Sequence, residues 1–219
     1  MARILITGGS QGIGRALAER LPASGHTVIA TTRHPEQQTE STRLQWVALD
    51  LERAESLDAF CAHPMWEQPF DAVVNNAGFG LIAPIESAEE ADIRAQFEAN
   101  FFATMRLTQH AMAHFRARNP KGTLMVNTSI GGRMAFPYFG YYNASKHALE
   151  AAYEALWYES LESEIRIKII EPGFTQTQFA TQGMRSSGAE HPSHREALDR
   201  LATAMKTGQT ASPPSIVAA

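Results

Sequence analysis

The chain has 219 residues, 44% of them hydrophobic and 19% charged, with a formal net charge of −4. That length suits one domain with a sizeable core, and the near-balanced charge gives no electrostatic case for binding nucleic acid or an anionic membrane surface. A single cysteine, Cys61, excludes an internal disulfide; with no apolar run long enough to span a bilayer and no room for a signal peptide before the first strand pattern, the expectation is a soluble cytoplasmic protein.

Short apolar runs alternate with longer helical patterns. Residues 3–7 (RILIT) read as a buried strand and 14–23 as a helix. Residues 27–31 (TVIAT) and 44–49 (LQWVAL) read as the next two strands, followed by a helix over about 54–62. DAVV at 71–74 is a fourth strand, and a long helical pattern covers about 89–118. TLMVN at 123–127 is a fifth strand, residues 143–162 show apolar positions at helical spacing, and IRIKII at 165–170 is a sixth strand. Strands apolar on nearly every residue suit a sheet covered on both faces. With helices between them, the pattern predicts one α/β domain with a doubly wound parallel sheet of Rossmann type. Ligands bind such sheets at the carboxyl ends of the strands. Beyond Phe179 the polar, turn-rich TQGMRSSGAEHPSH reads as a loop over those ends, with about 180–210 as a substrate loop; a disordered tail is the alternative.

The first strand runs into TGGSQGIG at residues 7–14. Gly8, Gly12 and Gly14 stand where a strand must turn tightly and a helix must begin. Without Cβ atoms, they let backbone N–H groups approach a phosphate closely, and the helix N-terminus adds partial positive charge. The second strand ends in TTRH at residues 31–34. A carboxylate here would accept from the adenosine ribose hydroxyls. The chain has instead the small neutral Thr32 and then Arg33, whose guanidinium matches a phosphate. NADP(H) is therefore favoured over NAD(H), the alternative being that Arg33 is a solvated loop residue.

YYNASK, at residues 141–146, offers two tyrosines, of which only Tyr142 has a lysine, Lys146, one helical turn later. Alone, that pair is common in helices. Taken together, several segments resemble the single-domain branch of the short-chain dehydrogenases/reductases, in the family's order and over about residues 1–180. TGGSQGIG is similar to the family's cofactor loop, which implies cofactor contacts from Gly8, Ser10, Gly12, Ile13 and Gly14. LDL at 49–51 resembles its adenine contact, implicating Asp50 and Leu51. NNAG, which is Asn75, Asn76, Ala77 and Gly78, matches the segment beside the adenosine ribose. Asn100 in EANFFA matches the family's helix asparagine, and NTSIGG supplies Ser129. EPGFTQT resembles the turn facing the nicotinamide, implicating Pro172, Gly173, Thr175 and Thr177. Ser129 lies thirteen residues before Tyr142, the family's own separation, so Tyr142 is the working tyrosine and Tyr141 a packing residue.

The resemblance implies a catalytic set of Asn100, Ser129, Tyr142 and Lys146. NADPH would supply the hydride for carbonyl reduction. A free phenol has a pKa near about 10, and the Lys146 ammonium is expected to lower that of Tyr142 so that it serves as general acid or base. Ser129 would donate to the substrate oxygen. Lys146 would also hold the nicotinamide ribose, Asn100 a water that relays protons, and Thr177 or Thr175 the carboxamide. The pocket wall expected from Phe79, Leu81, Met134, Phe136, Tyr138, Phe139, Phe174 and Phe179 is apolar, which suggests an apolar ketone, aldehyde or alcohol as substrate.

His110 and His114 stand four apart, as in a zinc-binding helix, but residue 111 is alanine and no third ligand is evident. They read as a packed or solvated helix face, with no metal expected. Cys61 beside His63 lacks an activating context. The helices around 89–118 and 143–162 could join two copies in a homodimer. Family members run past this length, so a further helix and a seventh strand are expected to be missing, leaving the last sheet edge exposed. Two other readings stay open: a shortened, non-catalytic NADP(H)-binding sensor or partner protein, and an epimerase or dehydratase on a related fold.

Overall fold

The computed structural model describes residues 1–175, 179, 183–188, 192–207 and 214–217. Six parallel strands form the central sheet: β1 (Arg3–Ile6), β2 (Thr27–Thr32), β3 (Leu44–Ala48), β4 (Ala72–Asn75), β6 (Thr123–Asn127) and β7 (Arg166–Ile170). Their spatial order is β3-β2-β1-β4-β6-β7, and every pairing is parallel. The order reverses between β1 and β4, which opens a crevice at their carboxyl ends. These are the six strands expected from the sequence, displaced by a residue or two at their ends.

Both faces of the sheet are covered, for a reason visible in β1. Ile4 and Ile6 point one way, into a cluster with Val28, Ala30, Val74 and Ala18 of helix α1 (Gly12–Ala23). Leu5 points the other way, into a larger cluster with Ile29, Val73, Leu124 and Val126. That second cluster also takes residues of α2 (Ala54–Cys61), α4 (Ala103–Arg118) and α5 (Gly140–Glu159). A strand buried on both sides has no place for an alternating polar residue, which is why β1 and β2 read as continuous apolar runs.

The long helix expected over about 89–118 is interrupted. Helix α3 (Glu90–Phe97) passes through one wide π turn, Glu98–Phe102, before α4 begins. Asn100 lies in that turn and is 1% exposed. Such turns inside α-helices are frequent at functional sites.

Four elements were not expected. A short strand β5 (Gly80–Ile82) pairs in parallel with β8 (Met184–Ser186), and helices α6 (Pro192–Thr207) and α7 (Pro214–Val217) follow. TQGMRSSGAEHPSH, expected as a loop over the strand ends or a disordered tail, holds regular structure in part: residues 184–186 are β8 and 192–194 open α6. β8 lacks an apolar run because it has one pairing partner and its side chains are partly exposed. Among the described residues, no helix is long and apolar enough to cross a membrane.

Candidate active site

The glycine loop is held in place from below. The Thr7 hydroxyl accepts from the backbone N–H groups of Asn76 and Ala77, both at 2.9 Å. Asn76 Nδ2 donates to the Thr7 and Gly8 carbonyls at 2.9 and 3.2 Å. The end of β1 is thus tied to the end of β4. Gly8 has φ +67°, and a Cβ there would stand 2.8 Å from Ala77 Cα, so both conformation and space demand glycine. Helix α1 begins without a side-chain cap and without an acidic residue in its first turn. Its N–H groups stay available, and Ser10, Gln11, Gly12 and Ile13 face the cavity above.

That cavity, of about 730 Å³, runs over the strand ends. One end is lined by Thr32, Arg33, His34, Asp50 and Leu51, the other by Ser129, Tyr142, Lys146, Pro172, Gly173 and Thr175. Asn76, Ala77 and Gly78 lie between. An uncapped helix N-terminus and a glycine cradle at one end of one cavity fit the phosphates of a nicotinamide dinucleotide.

Two expected contacts are not part of the cavity lining. Asn75 is 3% exposed, and its Nδ2 donates to Thr108 Oγ1 and Tyr153 Oη at 3.1 and 2.8 Å. Its side chain points behind β4 toward α4 and α5, because neighbouring strand residues face opposite sides. Gly14 is a packing glycine: a Cβ on it would fall 2.2 Å from the Gly8 carbonyl oxygen and 2.6 Å from Asn76 Nδ2. Thr177 lies outside the described residues.

Ser129 follows β6 and begins a tight turn, Ile130–Gly132, where its Oγ accepts from Gly131 N at 3.0 Å. Asn143 fixes that turn on α5: Nδ2 donates to the Gly131 carbonyl at 2.9 Å and Oδ1 accepts from Phe136 N at 3.0 Å. Tyr142, in the first turn of α5, is thereby brought to Ser129, with which it shares a hydrogen bond. The Lys146 ammonium stands 5.9 Å from the centre of the Tyr142 ring and donates to the Asn127 carbonyl at 3.0 Å. Asn127 Nδ2 in turn donates to Asn76 Oδ1 at 2.9 Å. A polar chain therefore runs from Thr7 through Asn76 and Asn127 to Lys146. Sequence reasoning missed Asn127; a polar residue closing the apolar TLMVN was the available signal.

The charge states differ from the sequence expectation. Burial pushes the Tyr142 phenol up from 10, and the hydrogen bond with Ser129 opposes this only partly. Burial also pulls Lys146 down, to about 8, against the opposing pull of Glu150. The net shift of Tyr142 is therefore upward, opposite to the direction expected from Lys146, because burial dominates. Tyr142 is a neutral phenol here.

Asn100 does not line the cavity. Its Oδ1 accepts from Phe79 N at 3.0 Å and its Nδ2 donates to the Phe79 carbonyl at 2.9 Å, with Ser145 Oγ at 3.3 Å. It clamps the backbone after β4, and Phe79 is part of the cavity wall. Phe136, Tyr138, Phe139, Phe174 and Phe179 are wall residues too. Leu81 is buried in the core instead, and Met134 is exposed outside the lining. Tyr141 donates to the Ile85 carbonyl at 2.9 Å, away from the chemistry. Arg185 of β8 joins the lining, pairing with Glu52 at 2.8 Å over the crevice.

A family model for short chain dehydrogenases matches residues 2–186. The chain is 33% identical over 177 residues to the 3-ketodihydrosphingosine reductase of Bacteroides thetaiotaomicron, covering 80% of this chain and 65% of that protein. It is 33% identical over 193 residues to the uncharacterized oxidoreductase YbbO of Escherichia coli K12, covering 86% and 71%. A short-chain dehydrogenase from Streptomyces avermitilis superposes with a TM-score of 0.88 at 30% identity, over 99% of this chain and 81% of that one. The chain thus spans about two thirds of the length of the first two relatives. The cavity at the sheet's switch point, the Ser129–Tyr142–Lys146 cluster and the match over residues 2–186 agree: this chain belongs to the short-chain dehydrogenase/reductase family.

Proposed function

We propose that the chain is an NADP(H)-dependent oxidoreductase that interconverts an apolar ketone or aldehyde with its alcohol. The observation that carries the reading is the single cavity: glycine loop and Arg33 at one end, Ser129, Tyr142 and Lys146 at the other. NADPH supplies the hydride when bound. Ser129 and Tyr142 hold the carbonyl oxygen, and the Tyr142 hydroxyl gives that oxygen its proton as charge develops. A neutral buried phenol suits this donor role. In the oxidative direction Tyr142 takes the proton back from the alcohol. The Lys146 ammonium and the N-terminal end of α5 favour the phenolate that each cycle must pass through. Asn100 acts by positioning Phe79, not by touching the substrate.

Arg33 at the adenosine end, with no carboxylate on the last residues of β2, supports NADP(H) over NAD(H). The aromatic wall supports an apolar substrate. So does the relative whose name is 3-ketodihydrosphingosine reductase, a reductase of a ketone. Phe102, Trp157, Tyr158 and Leu161 are exposed on or beside α4 and α5, which supports a homodimer through those helices.

The test is oxidation of NADPH by the purified chain with a panel of apolar ketones and aldehydes, beside the variant Tyr142→Phe. Turnover should vanish in the variant while the rise in Tm produced by NADPH persists. A variant that still turns over removes Tyr142 from the chemistry. Turnover with charged sugars alone removes the apolar substrate.

A further inference from the structure

One buried carboxylate has no part in the chemistry above. Glu150 lies one helical turn beyond Lys146 on α5 and is 4% exposed. Neither of its oxygens has a hydrogen-bond partner among the described residues. Its direct contact is an ion pair, with Arg133 Nη2 3.2 Å from Oε2. The same guanidinium donates from Nη2 to Glu171 Oε1 at 2.8 Å. Gly132 lets the Ser129 turn lie close: a Cβ there would stand 2.9 Å from Glu150 Cγ and 3.2 Å from the Lys146 carbonyl oxygen.

A buried carboxylate without hydrogen bonds is costly, and a packed apolar side chain of similar volume would be the more stable choice. Its charge has to serve a neighbour. Four charged groups surround it: Arg133 from the turn after β6, Glu171 from the end of β7, Lys146 on α5, and Glu154 one turn further along, which acts on Arg133. The Arg133 side chain is 54% exposed, so water screens it and it keeps its charge unaided. Lys146 is buried, with the Asn127 carbonyl as its hydrogen-bond acceptor. It is the group that needs an anion.

We propose that Glu150 is a positioning residue whose buried negative charge keeps Lys146 an ammonium beside Tyr142. The inference rests on the reading of Lys146 as the working cation, but its first test needs no turnover. The probe is the NMR titration of Lys146 in protein carrying ¹³C-labelled lysine, with the resonance assigned by Lys146→Arg. Wild type should titrate near 8. Removing the anion disfavours the ammonium, so Glu150→Gln should lower the midpoint by about one pH unit. Glu150→Asp keeps the charge and should restore the wild-type value. Equal midpoints in wild type and Glu150→Gln overturn the proposal. Equal displacement by Gln and Asp overturns it as well, since packing rather than charge is then at work. Glu150→Leu carries the same arm if the Gln protein lacks a cooperative unfolding transition. In turnover, the alkaline limb of kcat/KM should move with the NMR midpoint. A displaced midpoint in a protein that reduces no carbonyl would leave this inference standing and remove the oxidoreductase reading.

Discussion

His114 is the group whose titration should be most visible in the stability of the fold. It sits on α4, and its Nε2 accepts from Phe70 N at 3.1 Å, just before β4. The ring packs against Trp66 and Phe70, with centroid distances of 5.2 and 5.6 Å. Burial first, and then the nearby charges of Arg118, His110 and Arg3, pull it down from 6.5 to about 4. An accepting nitrogen cannot carry a proton, so the hydrogen bond requires the neutral ring. Between those two values the unfolded chain binds the proton that the folded chain refuses. Stability contributed by His114 is therefore complete above the unfolded value and is lost as pH falls through the folded one. The loss is about 2 kcal/mol at about pH 5 and approaches about 3 kcal/mol near pH 4. His114→Gln offers an acceptor at Oε1 and does not titrate. Urea unfolding of both proteins between neutral pH and about pH 5 isolates the effect, because every other titrating group is common to the two. Wild type should lose about 2 kcal/mol more than the variant. Parallel losses would refute the neutral buried imidazole.

Arg33→Asp should reverse cofactor preference, weakening NADPH and strengthening NADH in direct binding titrations; an unchanged ratio of Kd values would assign the phosphate to another residue. Gly14→Ala places a methyl group 2.2 Å from the Gly8 carbonyl oxygen. It should cost about 1–3 kcal/mol of stability and weaken NADPH binding in the same samples; unchanged Tm and affinity would mean that the loop shifts freely.

The inner strands were legible because they are buried on both faces: RILIT and TVIAT have no polar alternation to confuse with another pattern. IRIKII, at the sheet edge, was legible for the opposite reason, since exposed Arg166 and Lys168 alternate with buried Ile165 and Ile167. β5 and β8 were not legible, since three residues paired on one edge leave no period to read. The π turn at Asn100 was hidden for a different reason: its neighbours keep helical apolar spacing on both sides, and one extra residue in the turn changes little in sequence. Asn75 was misplaced by its company. It stands beside Asn76 in the same motif, but strand geometry sends its side chain to the opposite face, where Tyr153 and Thr108 hold it.

The working pair shows where spacing stops being informative. Tyr142 and Lys146 lie one turn apart, and that spacing alone suggests a phenol eased toward ionisation. Burial decides otherwise: both residues are buried in the cavity wall, so desolvation raises the phenol and lowers the amine together. The Lys146 ammonium still favours the phenolate, but the cost of burying that second charge is the larger effect. The fold supplies the missing field from elsewhere on the same helix. Glu150 carries a charge that the helix spacing places one turn from Lys146, and Gly132 lets the serine turn come close enough to cover it. Sequence analysis passed over the i, i+4 spacing of Lys146 and Glu150 in KHALE, because such a pair on an exposed helix is worth about a few tenths of a kcal/mol, and only burial turns it into a determinant of which proton the site holds.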